Sequence, residues 1–161
     1  MGQASSHRYL IALGSNMRVP GIGAPPAVLA AAVARLAGQG AEIEAVSQVR
    51  ASRPLGPSRR TYANAAAVLS CAIAPAGMLS LLQSVEREFG RRRAGARWRA
   101  RSLDLDIVLW SGGAYFARDL VIPHLRFRER EFVLRPAAEI APGWRDPVTG
   151  LTLRQLAARG A

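Results

Sequence analysis

The chain has 161 residues, half of them apolar, and a formal net charge of +11, which fits one domain built around one core. All 22 of its strongly basic residues are arginines, and the chain contains no lysine. A P-loop, a protein-kinase site and Schiff-base catalysis each require a lysine, so these three are excluded. The charge predicts an anionic partner, either nucleic acid, a nucleotide or an acidic surface.

Domain organisation and compartment follow from a few features of the chain. We expect residues 1–7 to form a loose tail and residues 8–161 a single domain. No apolar run approaches membrane-spanning length. Cys71 is the single cysteine, so an internal disulfide is impossible, and an inert buried thiol in a reducing cytoplasm is expected.

The predicted elements alternate between strands and helices along the chain. Apolar runs, alternation and Pro or Gly punctuation predict, in order, a strand at 9–13, a helix opening at Pro25, strands at 42–49 and 64–73, a helix opening at Pro75, a strand at 103–110, a hairpin from 111–113 into 114–116, a short helix or turn at 124–134 and a terminal helix at 152–160. Residues 53–60 and 91–101 are expected to be loops.

This order predicts an α+β fold. We expect the ferredoxin-like βαββαβ sandwich, with helices on one face of a mainly antiparallel sheet, an added hairpin and short C-terminal helices. Apolar residues at helical spacing after Pro75 predict a core-facing stripe: Met78, Leu81, Leu82, Val85 and Phe89. The fold hosts many functions and does not select one.

The stretch with the clearest chemical content is RSLDLDIVLW, residues 101–110. Successive strand side chains point to opposite faces, so Asp104 and Asp106 share one face while Leu103, Leu105 and Ile107 face the core. Two carboxylates on one face suit Mg²⁺, which takes oxygen ligands and shares them with phosphates. A solvated edge strand is the alternative for so short a pattern.

An arginine-rich stretch precedes this strand and strengthens the metal interpretation. Six arginines lie within eleven residues: Arg91, Arg92, Arg93, Arg97, Arg99 and Arg101. Guanidinium groups beside a carboxylate pair suit a polyphosphate. A nucleic-acid patch or a solvated loop is the alternative for the arginines alone, but aromatic residues make up only 6% of the chain, which is poor for base stacking.

The motifs, taken in order, resemble those of the 6-hydroxymethyl-7,8-dihydropterin pyrophosphokinase family from Tyr9 to the C-terminus. They are ALGSN (12–16), PLGP (54–57), YANA (62–65), QSVE (83–86), GR (90–91), RW (97–98), RSLDLDI (101–107), IPH (122–124) and REFVL (130–134). The resemblance implies transfer of pyrophosphate from ATP to a pterin alcohol in folate biosynthesis.

The resemblance also implies roles for individual residues. Asp104 and Asp106 would hold two Mg²⁺ ions, and Arg91, Arg101 and Asp106 would be catalytic. Contacts to ATP would come from Gln83, Arg93, Arg101, Ile107, His124 and Arg130. Contacts to the pterin would come from Ser52, Leu55, Tyr62, Asn64, Trp98 and Phe132.

Several of these residues have structural alternatives. Asn64 could cap a turn, Tyr62 and Phe132 could be core residues, and His124 could be an ordinary loop histidine. Glu86 could be a solvated helix residue or could orient the nucleotide site. The family usually has Gly at the position of Arg99 and often Pro at that of Arg53, and here Leu125 and the segment after Asn16 also differ from it.

The sequence therefore predicts a magnesium-dependent pyrophosphokinase, with ATP and hydroxymethyl-dihydropterin as partners. We expect a cytoplasmic monomer that binds neither nucleic acid nor membrane. The alternatives are a non-catalytic paralogue that binds nucleotide or pterin, to which Arg99 would point, and an arginine-rich RNA-binding domain.

Overall fold

The computed structural model describes residues 6–53, 61–90 and 102–160. Its elements, in chain order, are β1 (His7–Ser15), α1 (Pro25–Ala37), β2 (Glu42–Val46), β3 (Arg50–Ser52), β4 (Tyr62–Cys71), α2 (Pro75–Glu88), β5 (Asp104–Trp110), β6 (Tyr115–Phe116), β7 (Val121–Ile122), a 3₁₀ helix (Phe127–Glu129), α3 (Glu131–Ile140) and α4 (Leu153–Arg159). Helices packed on an antiparallel sheet confirm the α+β class. Within these ranges no helix combines the length and apolar character that crossing a membrane requires.

The main sheet has the strand order β2-β4-β1-β5, with β3 also paired to β4, and every pairing is antiparallel. The strand predicted at 42–49 is in fact two strands, because the chain departs from regular pairing at Ser47. The Ser47 amide donates to the Ala66 carbonyl over 2.9 Å, and the Ser47 hydroxyl accepts the Ala66 amide over 2.8 Å. The Ser47 hydroxyl therefore takes the place of a main-chain carbonyl as the hydrogen-bond acceptor. Regular pairing with β4 begins again at Arg50, the first residue of β3.

The two long helices form where the sequence places them. Each opens on a proline, whose fixed φ and missing N–H suit the first helical turn. In α2 the residues Met78, Leu82 and Val85 are buried, Leu81 is partly buried against the same core, and Phe89 just after the helix is buried too. The predicted core-facing stripe is confirmed.

Helices cover both faces of the sheet, so the expectation that they lie on one face is wrong. Tyr9 and Ile11 belong to a core that α1 and α2 cover. Leu10, Val68 and Val108 belong to a second core covered by α3 and α4. Consecutive apolar residues in β1 make both faces hydrophobic, and the C-terminal helices bury the face that a two-layer sandwich would expose.

The chain after β5 also differs from expectation. Trp110 and Gly113 form an isolated bridge across a tight turn, in which Gly113 has a φ of +93°, and the hairpin expected with β5 ends there. Tyr115 and Phe116 of β6 pair with β7 instead. At the other end of the chain, β1 starts at His7, which the sequence assigned to the tail.

The segment before α4 is fixed by a buried carboxylate. The Asp146 side chain is 0% exposed and accepts from Arg128 Nε (2.6 Å), Arg128 Nη2 (2.7 Å), the Thr149 hydroxyl (2.7 Å) and the Val148 amide (3.0 Å). Burial alone would raise the pKa of Asp146, but the hydrogen bonds from Arg128, Thr149 and Val148 outweigh it and lower the pKa from 3.8 to about 2.

We predict that Asp146 contributes to stability above pH 3.8 and that this contribution is lost as the pH falls towards 2. A carboxylate with a depressed pKa favours the folded state only while it is ionised, and we expect about 1–2 kcal/mol after allowance for solvent screening. Urea unfolding of the wild type and Asp146→Asn at pH 5 and pH 2.5 measures it. The difference between the two proteins should shrink at the lower pH, and a constant difference would contradict the assignment.

Candidate active site

The two aspartates of β5 lie together at one end of the sheet, as the alternation predicts. Leu105 and Ile107 are buried against the α1 and α2 side. Asp104 is partly exposed, Asp106 is exposed, and both line the same cleft on the opposite face. Neighbouring same-face positions on a strand are roughly 6–7 Å apart, so one ligand can reach both carboxylates.

This cleft has a volume of about 150 Å³. Its walls come from β1, the β3–β4 pair, β5 and the start of α3. The lining residues are Ala12, Leu13, Gly14, Ser52, Arg53, Tyr62, Asn64, Asp104, Asp106, Arg130, Phe132 and Val133.

Small residues of β1 keep the floor of the cleft open. In the register of the sheet, Ala12 lies opposite Asp106 and Gly14 lies opposite Asp104. On its other side Gly14 lies opposite Asn64. A Cβ at Gly14 would lie 3.6 Å from Asn64 Oδ1 and 3.8 Å from the Tyr62 ring. A larger side chain there would fill the space between the carboxylates and the amide.

On the other side of β1 from the carboxylates, the cleft carries an oriented amide. Asn64 is 5% exposed, and its Nδ2 donates to the Ser52 hydroxyl over 2.6 Å. This bond fixes the amide plane and leaves one N–H and the Oδ1 for a ligand. The rings of Tyr62 and Phe132 line the cleft and are partly exposed, so neither is a fully buried core residue.

Cationic and neutral donors lie near the carboxylates. Arg130 lines the cleft, and its guanidinium carbon lies 5.8 Å from the centroid of the Phe132 ring. The pKa of the half-buried His124 is lowered, first by burial and also by Arg130 and Arg126, while Asp106 opposes the shift. His124 is therefore neutral near pH 7.

The tautomer of His124 follows from its hydrogen bond. Its Nδ1 accepts the Arg126 amide over 3.2 Å, so the ring proton is on Nε2. The neutral ring can donate that proton to an anionic oxygen.

Some of the residues expected at the site do not line this cleft, and others lie outside the described ranges. Gln83 lies half-buried on α2 and does not line the cleft. Ile107 is 4% exposed, with its side chain in the core on the face opposite the cleft, so only its main chain can meet a ligand. Five of the predicted residues lie outside the described ranges: Leu55, Arg91, Arg93, Trp98 and Arg101.

Sequence reasoning missed one feature of the site, Arg53, and left two interpretations open for Glu86, of which the structure excludes one. Arg53 lines the cleft beside Ser52, although its sequence context indicated only a proline-rich loop. Glu86 is 5% exposed and accepts the Leu105 amide over 3.2 Å, so its interpretation as a solvated helix residue is wrong. Its place four residues after Leu82 and three before Phe89, within the predicted apolar stripe, is the sequence signal that could have indicated burial.

The donor set of the cleft fits Mg²⁺. In the described parts of the chain, no group of three His, Cys, Asp or Glu side chains could enclose a metal. Mg²⁺ seldom needs such a group, because it is usually held by one or two carboxylates together with substrate phosphates and water. Asp104 and Asp106, open to the same cleft, meet that requirement.

The fold and the cleft together define a small α+β protein whose site sets two carboxylates of β5 and an oriented amide of β4 on either side of β1. Such a donor set suits a metal-bound phosphate beside a flat polar heterocycle. The profile of the 7,8-dihydro-6-hydroxymethylpterin-pyrophosphokinase (HPPK) family matches residues 10–142. The chain belongs to this family.

Curated relatives agree over most of the chain. A 2-amino-4-hydroxy-6-hydroxymethyldihydropteridine pyrophosphokinase of Synechocystis is 38% identical over 93% of this chain and 74% of its own length. The proteins of the same name from Pseudomonas aeruginosa and Methylorubrum extorquens are 38% and 36% identical, over 87% and 94% of this chain and 84% and 92% of their own lengths.

A solved structure is similar in fold. The Plasmodium falciparum HPPK-DHPS protein with pteroate superposes with a TM-score of 0.74 over 99% of this chain, at 12% identity. This chain spans 43% of that one. At such identity the match supports the fold alone.

Proposed function

We propose that the protein transfers pyrophosphate from ATP to 6-hydroxymethyl-7,8-dihydropterin and releases AMP, as a step of folate biosynthesis. The observation that carries this proposal is the cleft, in which the Asp104 and Asp106 carboxylates of β5 and the Ser52–Asn64 pair lie on opposite sides of β1, whose small residues form an open floor between them. The names of the curated relatives support the same reaction.

On the β5 side of the cleft, where the phosphates would bind, we assign Asp104 and Asp106 to two Mg²⁺ ions. When bound, Mg²⁺ neutralises phosphate charge and fixes the orientation of the phosphate oxygens. Arg130 and the Nε2–H of His124 donate to triphosphate oxygens. The other roles are proposed from the family motifs in the sequence alone. Arg91 and Arg101 stabilise the charge that develops on the transferred group. Gln83, Arg93 and the main chain of Ile107 lie near the nucleotide.

On the β4 side of the cleft, where the pterin would bind, the fixed amide of Asn64 supplies a donor and an acceptor, which a pterin edge requires. Tyr62 and Phe132 are assigned to the two faces of the ring system, and the guanidinium of Arg130 near Phe132 supports a position for that ring at the boundary between the two ligands. Ser52, Leu55 and Trp98 complete the proposed pocket.

The chemistry follows from this placement. The pterin hydroxymethyl oxygen attacks the β-phosphorus of ATP, the bond from that phosphorus to the oxygen bridging to the α-phosphorus breaks, and AMP leaves. Positioning and charge neutralisation carry most of the rate in phosphoryl transfer. A strong general base is not part of the proposal, and the hydroxyl proton leaves to water or phosphate.

We further propose a ferredoxin-like topology, a single domain and a cytoplasmic location for this protein. The antiparallel order β2-β4-β1-β5 with two β-α-β crossovers supports the ferredoxin-like topology. Two cores that share β1, β4 and β5 support a single domain over residues 8–161. The buried free thiol of Cys71 fits a reducing cytoplasm. We propose a monomer with ATP and the pterin as its partners, and with no nucleic-acid or membrane partner.

The identity of the nucleotide product tests the proposed reaction. Incubation with ATP, Mg²⁺ and hydroxymethyl-dihydropterin should give AMP in step with pterin pyrophosphate, because the bond that breaks lies between the α and β phosphates. Chromatography of the mixture separates the products. ADP as the main product would refute transfer of a two-phosphate unit.

We predict that Tyr62→Ala and Phe132→Ala each weaken pterin binding about tenfold or more, because stacking on a flat heterocycle is lost. Binding of a non-hydrolysable ATP analogue should change less than about threefold, as calorimetric titration of each ligand would measure. Phe116→Ala is the matched control, since that ring is 75% exposed on β6 and does not line the cleft. Loss of stability with unchanged pterin affinity would mean that the two rings serve only the core.

A further inference from the structure

Glu86 is a buried carboxylate that the proposed reaction leaves without a role. It lies near the end of α2 and accepts the main-chain amide of Leu105 over 3.2 Å. Leu105 stands between Asp104 and Asp106 on β5. The contact therefore joins a helix to the strand at the point where the two candidate metal ligands project into the cleft.

The position of this contact in the sheet gives it mechanical importance. In the described chain β5 is an edge strand of the main sheet, with β1 on one side. On the other side, the Leu105 amide donates to Glu86 and the Val108 carbonyl accepts from the His124 amide over 3.1 Å. An edge strand has strand hydrogen bonds on one side alone, so the contacts on its other side help to set its position, and a small displacement of β5 would move both aspartates together.

We infer that Glu86 is a positioning residue, whose hydrogen bond to Leu105 holds β5 so that Asp104 and Asp106 present their carboxylates to the same metal-phosphate group. This inference rests on the proposed function of the cleft. Groups behind the metal ligands commonly change metal affinity or activity 10–100-fold when they are removed.

Two variants separate the reach of the side chain from its charge. Glu86→Gln keeps an oxygen at the same distance and removes the charge. Glu86→Asp keeps the charge, but its carboxylate is one methylene, or about 1.5 Å, shorter and cannot bond at 3.2 Å without movement. Glu88→Gln is the control, since Glu88 lies on the same helix in an exposed ion pair with Arg35.

The first readout is the dependence of turnover on Mg²⁺. For Glu86→Asp we expect kcat to fall about tenfold or more and the Mg²⁺ concentration for half-maximal rate to rise severalfold, with the KM for the pterin changed less than about twofold. Glu86→Gln and Glu88→Gln should stay near wild type. Equal losses in the Gln and Asp variants would overturn the inference, because charge would then be the property that matters.

The second readout is hydrogen exchange of the Leu105 amide in the ligand-free protein, followed by NMR. It should be slow in the wild type and Glu86→Gln and about tenfold faster in Glu86→Asp. A Glu86→Asp variant with wild-type exchange and wild-type Mg²⁺ dependence would overturn the positioning role. A drop in melting temperature without a change in Mg²⁺ dependence would overturn it as well, since Glu86 would then be purely structural.

Failure of this inference can be told from failure of the proposed function. If the wild type forms no AMP, the proposed reaction is wrong whatever the variants do. Binding of Mn²⁺ together with an ATP analogue, followed by the paramagnetic broadening of NMR signals, then still compares the wild type with Glu86→Gln, Glu86→Asp and Glu88→Gln. The inference is supported if Glu86→Asp alone weakens that binding and is overturned if it does not.

Discussion

Asp104→Asn and Asp106→Asn should each reduce turnover at least about a hundredfold while the fold survives. Removal of one electrostatic stabiliser of a transition state commonly costs that much, and each substitution removes one of the two anionic oxygen donors that the cleft offers to Mg²⁺. Both side chains project into the cleft rather than the core, so an isosteric amide should be accommodated. Steady-state rates over a range of Mg²⁺ concentrations, with circular dichroism for the fold, measure the effect.

The control for this pair is Asp119→Asn, because Asp119 is an exposed aspartate in the turn between β6 and β7. It loses the same charge from the protein as a whole, and its activity and Mg²⁺ requirement should match the wild type. Mg²⁺ dependence that is unchanged in both β5 variants would refute the metal role. Both effects together, a lower rate and a higher Mg²⁺ requirement, are expected if the carboxylates hold the ions that orient ATP.

The two-residue alternation of β5 could be predicted from sequence because it depends on local geometry alone. A strand places i and i+2 on one face whatever surrounds it, so the sequence sufficed to put Asp104 and Asp106 together and Leu105 and Ile107 in the core. The helical stripe of α2 was predictable for the same reason. Both predictions needed only the period of a single element.

The second core was harder to predict because it depends on contacts across the chain. The apolar residues Leu10 and Val68 are covered by Val133 and Leu134 of α3, more than sixty residues further on. Consecutive apolar residues in β1 are also what a two-layer fold with a partly exposed face would tolerate. Only the docking of the C-terminal helices decides between the two.

The break at Ser47 and the role of Glu86 share another cause. In each, a polar side chain takes a main-chain hydrogen bond that a strand would otherwise make. Hydrogen bonds of this kind depend on the three-dimensional position of a side-chain oxygen. The pattern of apolar and polar residues along the sequence does not give that position. Arg53 was missed similarly, because its place beside Ser52 and Asn64 follows from the pairing of β3 with β4.

The proposed pterin site depends most on Asn64, and the structure distinguishes between two roles for this residue that the sequence left open. The sequence allowed Asn64 to be either a turn cap or a ligand contact. In the structure it stands within β4, nearly buried, with its Nδ2 already bound to the Ser52 hydroxyl and its Oδ1 directed towards the side of Gly14. A turn cap would lie at an element's end and bond to the main chain.

We therefore predict that Asn64→Asp weakens pterin binding about thirtyfold or more, which corresponds to about 2 kcal/mol. The variant keeps the shape of the side chain and its acceptor oxygens, but it loses the N–H donor that a pterin carbonyl needs and adds a charge beside it. Ser52→Ala should cost less, about threefold, because the amide keeps its donors and loses only the bond that fixes its plane. Calorimetric titration with the pterin and, separately, with a non-hydrolysable ATP analogue distinguishes these effects. Analogue affinity should stay within about threefold of wild type in both variants, since Asn64 on β4 lies two strand spacings, roughly 10 Å, across the sheet from the carboxylates of β5. If the two affinities fall in parallel in Asn64→Asp, the amide supports the sheet rather than the pterin, and the heterocycle must bind elsewhere.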